Sequence, residues 1–401
     1  MKLWVFVLYF ASLVNCDPQI FQLKDYFSGS TILFDNVETG SELYLASNDD
    51  NEMLSGIQIS TGAASISLDL LNKVNADGSP MSLAITNGLT LRTINSNAMT
   101  YGLTGFLYLT SKNQADDPNF SVMVIRGQHI ITTPRGQTST VVVLNTALVT
   151  DSTDADKPEK TSYVTGMNQL SDTNLRFHWG IPACNWTKIT MNQFFENPLY
   201  LDATTAFFDN VDPLPVNVDY WYLTSTGAVT MSVENKYVPN REYTTKSVNS
   251  TGLISNSFLF MEHKVHFLLD YTRTRTVGTL ISVWPRTDDY ISFFLGNGET
   301  EIDQNFNKNT NVKHALLITQ MQASYLIVNS TGYVPGNFFC QYYGIAGDLV
   351  PEVSTTAGPS TTMTSAVPTT STVTVMTTTK SSWSPRALEM IPLVLLLTSA
   401  F

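Results

Sequence analysis

The sequence predicts an all-β protein, with two tandem antiparallel β-sandwich domains followed by a disordered Thr/Ser-rich stalk. Short runs alternate polar and apolar residues with a period of two, as in Ser65-Ile-Ser-Leu-Asp-Leu70 and Leu280-Ile-Ser-Val-Trp284. Asp77-Gly78 and Asn297-Gly298 sit between apolar runs and supply the positive φ of tight hairpins. No stretch keeps helical apolar spacing for three turns with caps at both ends. Ala63 to Lys73 comes nearest, and its alternation favours a strand. Tyr271 to Thr276 alternates with two polar faces, which suits an exposed edge.

The chain has 401 residues, 22 Lys plus Arg against 34 Asp plus Glu, and a net charge of −12. That balance offers no basic face to a phosphate backbone, so no nucleic-acid partner is expected. Three cysteines exclude a disulfide-dense miniature scaffold, and the lack of long apolar runs excludes a polytopic membrane protein.

Residues 1–16 have the form of a secretory signal: Lys2, an apolar core from Leu3 to Val14, and small residues before Asp17. The body, 17–349, contains an ordered set of internal matches. Phe34-Asp-Asn-Val37 returns as Phe208-Asp-Asn-Val211, Ser60-Thr-Gly-Ala63 as Ser225-Thr-Gly-Ala228, and Asn72-Lys73 as Asn235-Lys236. Ser162-Tyr163 returns as Ser324-Tyr325 and Gly180-Ile181 as Gly344-Ile345. The spacing predicts duplicated sandwiches at 17–182 and 183–349, with the boundary near Pro182, and a loop insertion at 151–160. If the signal is cut after Cys16, Cys184 and Cys340 remain, and an oxidising compartment favours their pairing over two buried thiols.

The opening and closing cysteines, with the phrase Ser330-Thr-Gly-Tyr-Val-Pro-Gly-Asn-Phe-Phe-Cys-Gln-Tyr342, resemble the secreted CUB-like domain proteins of nematodes. The resemblance implies jelly-roll-like sandwiches, an extracellular setting and a part in innate defence. No clear counterpart appears of the Glu, Asp and Asp set with which many CUB domains hold calcium, so no cofactor is expected and calcium is unsupported.

Residues 350–382 are dominated by Thr and Ser with Pro, the composition of an O-glycosylated stalk that cannot bury a core. Residues 383–401 end in an apolar run from Ile391 to Phe401, too short to span a bilayer as a helix. The tail fits the removable signal of a glycosylphosphatidylinositol (GPI) anchor, with Ser382 as the attachment residue. The membrane partnership is therefore a lipid anchor at the extracellular face of the plasma membrane.

Candidate chemistry is sparse. His263 and His266 are the closest histidine pair, and on a strand they point to opposite faces. The acid pairs Asp49-Asp50, Asp116-Asp117 and Asp288-Asp289 read as solvated turns. No nucleophile elbow, Walker loop, dinucleotide fingerprint or zinc-protease motif is present, so neither a catalytic nor a metal residue is assigned. Asn119, Asn185, Asn249 and Asn329 head N-glycosylation sequons, a number unremarkable in a chain this rich in Asn, Ser and Thr. Aromatics such as Tyr220, Trp221 and Tyr222, or Phe338, Phe339, Tyr342 and Tyr343, read as sandwich core. The expected function is a non-enzymatic, membrane-tethered glycoprotein for recognition, adhesion or innate defence, with an extracellular protein or glycan as ligand. The alternative is an extracellular carbohydrate-active enzyme or hydrolase with a site built from distant loops.

Overall fold

The computed structural model describes residues 17–25, 31–47, 52–93, 103, 105–146, 161–183, 192–201, 204–236, 242–256, 262–268, 275–285, 289–331 and 337–347. The all-β expectation holds: six sheets of four or five strands and one two-stranded hairpin account for the strands described. The sheets pair face to face into three sandwiches rather than two.

The first sandwich contains β1 (Gln19–Gln22), β2 (Thr31–Leu33), β3 (Glu42–Ala46), β4 (Ile57–Thr61), β5 (Ala64–Ser67), β6 (Ser82–Ala84), β7 (Thr90–Thr93) and β8 (Phe106–Leu109). Sheet 1 has the order β1-β8-β3-β6 and sheet 2 the order β2-β7-β4-β5. Leu43, Leu45, Leu107 and Leu109 from sheet 1 meet Ile57, Ile59 and Leu91 from sheet 2. The stretch expected as strand from Ala63 is split: β5 stops at Ser67, and Leu68–Leu71 forms one helical turn that buries Leu68 and Leu71.

The second sandwich contains β9 (Phe120–Ile125), β10 (Gln128–Thr133), β11 (Ser139–Asn145), β12 (Thr161–Gln169), β13 (Leu175–Trp179) and β14 (Gln193–Asn197). The hairpin β15 (Leu199–Leu201) and β16 (Thr204–Ala206) follows, then β17 (Leu214–Val216), β18 (Tyr220–Ser225) and β19 (Val229–Lys236). Sheet 3 is β14-β13-β18-β11-β9 and sheet 4 is β10-β19-β12-β17. Phe177, Phe195 and Trp221 fill the space between them with Val164, Met231 and Val233.

The third sandwich contains β20 (Glu242–Thr244), β21 (Ser250–Ser255), β22 (Glu262–His266), β23 (Arg275–Val283) and β24 (Tyr290–Gly296). It ends with β25 (Glu301–Asn307), β26 (Val312–Met321), β27 (Tyr325–Ser330) and β28 (Phe338–Ala346). Sheet 5 is β21-β28-β23-β26 and sheet 6 is β20-β22-β27-β24-β25. The expected Asn297-Gly298 hairpin joins β24 to β25, with Gly298 at φ +94°.

The boundary expected at Pro182 falls inside the second sandwich. β13 and β14, on either side of it, are ladder partners, and β18 completes the same sheet. Residues 17–182 and 183–349 are therefore not separate modules. The Ser-Thr-Gly-Ala match also occupies unlike places. Ser60-Thr-Gly-Ala63 turns β4 into its own ladder partner β5, whereas Ser225-Thr-Gly-Ala228 carries the chain from sheet 3 to sheet 4. Such tetrapeptides are turn chemistry and recur wherever a strand must end.

The sandwiches are fused through sheet faces. The outer face of sheet 1 (Ala46, Phe106, Tyr108) packs on that of sheet 3 (Val122, Val124, Val142, Leu144, Tyr222). Gln114, buried at this seam, donates to the Pro182 carbonyl at 3.0 Å and accepts from the Tyr108 hydroxyl at 3.2 Å. Gly105 enters β8 at φ +96°, where any Cβ would lie 2.1 Å from the Ala46 carbonyl oxygen. The outer face of sheet 5 is covered by β14 and the β15–β16 hairpin. Phe194 stacks on Phe339 at 4.2 Å, Trp179 on Trp284 at 4.2 Å, and Leu199 and Leu201 cluster with Leu280 and Tyr343.

Candidate functional site

Sheets 1, 3 and 5 are covered on both faces, which leaves the outward faces of sheets 2, 4 and 6 to meet solvent or a partner. Sheet 2 presents hydroxyls and amides: Ser60 bonds Ser65 at 2.8 Å, and Arg92 donates to Gln58 at 2.6 Å. Sheet 4 presents Glu234 with Lys236 at 3.0 Å, the Lys236 ammonium lying 4.6 Å from the centre of the Tyr163 ring. Sheets 2 and 4 each also expose a lone apolar side chain, Leu33 and Ile130, whereas sheet 6 sets two apolar side chains side by side on its outer face. Phe293, Leu295, Leu326 and Val328 point into the core, so their strand neighbours Phe294 and Ile327 stand on the outer face. These two are half-buried and form a direct ladder pair, with Lys264 and Asp303 at the two ends of their row. His266, Tyr325 and Glu301 form the next row, and Tyr325 donates to Glu301 at 2.8 Å.

Two carboxylates, Asp212 buried and Asp219 partly buried, mark the seams. Asp212 is 2% exposed beside the isolated bridge between Val211 and Thr251. Its Oδ1 accepts from the Tyr243 hydroxyl at 2.9 Å and the Lys246 amide at 3.4 Å, and its Oδ2 accepts from the Tyr342 hydroxyl at 3.3 Å. Burial raises its pKa, and these hydrogen bonds oppose the rise. Asp219, at the seam of the first two sandwiches, has a buried Oδ1 without a hydrogen-bond partner among the described residues. Burial pushes its carboxyl up to about 6, with Lys24 pulling the other way. A third carboxylate, Glu196, is 6% exposed and lies 3.6 Å from Arg176. Asp212 and Asp219 sit between sandwiches and the Glu196 carboxylate within the second, bonded by Gln193 and Tyr200, so the three do not converge on a common cleft.

The residues singled out by sequence are scattered. Asn119 precedes β9, its amide donating to Asp117 at 2.9 Å. Asn249 is exposed, and its Oδ1 accepts from the Ala346 amide at 2.7 Å, which leaves Nδ2 for a glycosidic bond. Asn329 lies on β27, on the outward face of sheet 6, opposite Ser292. Asn185, Cys184 and Ser382 lie outside the described residues, as do Asp49, Asp50, Asp288 and the stalk and tail. Cys340 is fully buried between Phe338 and Tyr342 in the third core, where burial raises its thiol pKa. It has no disulfide partner among the described residues.

His263 meets Phe338 edge-on at 6.5 Å, while His266 lies 3.9 Å from Glu242, so the pair does diverge. Among the described residues no three His, Cys, Asp or Glu side chains gather as a metal-holding group. Trp221, Tyr222, Phe338, Phe339, Tyr342 and Tyr343 are buried as expected of core, whereas Tyr220 is partly exposed. Reasoning from sequence missed Asp212, Asp219 and the Phe294–Ile327 pair. The outward pair was legible in principle, because Ile291-Ser-Phe-Phe-Leu295 puts an apolar residue on both faces of one strand.

Among the described residues no helix is long and apolar enough to cross a membrane. Comparison with curated proteins returned no match. A family model described as transmembrane glycoprotein matches residues 38–397, taking in most of the first sandwich, the other two, the stalk and nearly all of the apolar tail. The chain thus belongs to the transmembrane glycoprotein family.

Proposed function

We propose that the chain is a non-enzymatic surface glycoprotein that presents three fused sandwiches outside the cell for recognition or adhesion. The observation that carries this reading is the family match running from the first sandwich into the apolar tail. The sequons at Asn119, Asn249 and Asn329 support it by lying in or beside strands where the asparagine is at least partly exposed. Innate defence is the finer role, supported by the CUB-like closing phrase that ends in β28. Attachment is through a lipid at Ser382, supported by an apolar run of about a dozen residues or fewer where a spanning helix needs about 20.

Treatment of intact cells with a phosphatidylinositol-specific phospholipase tests the anchor. Release of the protein to the medium is expected. Retention, together with resistance to alkaline extraction, would overturn the lipid anchor in favour of a spanning tail.

A further inference from the structure

The outward face of sheet 6 carries an apolar strip and a glycosylation sequon in one register. Asn329 lies two residues along β27 from Ile327, so both side chains stand on the same face. Across the ladder, Asn329 is opposite Ser292 and Ile327 opposite Phe294. Phe294 is therefore the diagonal neighbour of Asn329, about 7–8 Å away. Thr331 completes the sequon, and its hydroxyl accepts from the Tyr290 amide at 2.8 Å, which fixes the end of the strand.

We propose that an N-linked glycan on Asn329 folds back along β27 and seats the apolar face of its first sugars on Phe294 and Ile327. The glycan is then a built part of the outer layer of the third sandwich. This inference rests on the reading of the chain as an exported glycoprotein. A pyranose ring suits the strip because it pairs a face of C–H groups with a rim of hydroxyls. The C–H face covers the Phe294 ring, and the hydroxyl rim turns towards Asp303 on the adjacent strand β25. The attachment forms a bond from Asn329 Nδ2 to C1 of the first sugar. It breaks the bond from C1 to the pyrophosphate of a lipid-linked oligosaccharide donor, and the amide proton leaves as that pyrophosphate departs.

The test uses the full chain from a secretory host grown with 13C-labelled sugar. Glycopeptide mass spectrometry should find Asn329 occupied, and the N-acetyl methyl of its first sugar should show an upfield ring-current shift. Phe294→Leu, which keeps an apolar side chain, should abolish that shift. Asn329→Gln should lower Tm by about 2–4 °C in the parent and by less in the Phe294→Leu background. If the Leu variant fails to fold, the methyl shift in the parent alone decides. An occupied Asn249 beside a bare Asn329, or an unshifted methyl, overturns the inference and leaves the exported reading standing. Sequons bare throughout overturn both.

Discussion

Asp219 gives the seam between the first two sandwiches a defined pH dependence. A carboxyl whose folded pKa is raised from 3.8 to about 6 binds protons more tightly when folded. Its contribution to stability is therefore fullest below the unfolded pKa and is lost as pH rises through about 6. Asp219→Asn should stabilise the protein by about 2 kcal/mol at pH 7.5 and by almost nothing at pH 4. Chemical denaturation of parent and variant at both pH values checks this, and a pH-independent difference would contradict it. Nothing in Val218-Asp-Tyr-Trp221 announces the burial, because it arises at a seam with another sandwich, the one that carries Lys24. Cysteine and histidine positions were legible as residues, but which neighbours they meet depends on contacts far apart in sequence.

β28 shows how one strand serves two cores. Phe338, Cys340 and Tyr342 face the third sandwich, whereas Phe339 and Gln341 face β14 of the second. Gln341 accepts from the Glu196 amide at 2.9 Å, donates to the Glu196 carbonyl at 2.8 Å and donates to the Thr251 hydroxyl at 3.0 Å. Gln341→Ala strands two buried backbone groups and should cost about 2–4 kcal/mol, read from urea midpoints. A change within about 0.5 kcal/mol would mean that the seam is held by its aromatic contacts alone. Strands covered on one side were easy to read: β4 and β27 alternate buried and partly exposed residues. Strands covered on both sides, such as β11 with all seven residues buried, carry no alternation, so period-two reasoning passes over them.

Three sandwiches joined by their faces should unfold together. Fragments 17–182 and 183–349 each split sheet 3 and would expose the apolar seams, so each should be insoluble or unfolded by circular dichroism. A chain covering 17–347 should melt in one cooperative transition. Soluble, folded halves would instead support the duplicated arrangement read from the tetrapeptide matches. The fold class was legible because backbone period and turn residues act locally. The number of sandwiches was not, because strand partners are chosen by long-range burial that turn motifs do not encode.

The position of β28 bears on mechanical load. It is the last strand described, and it lies between β21 and β23 with ladders on both edges. Tension arriving from the C-terminal side thus meets two rows of hydrogen bonds, and both must part before the strand can peel away.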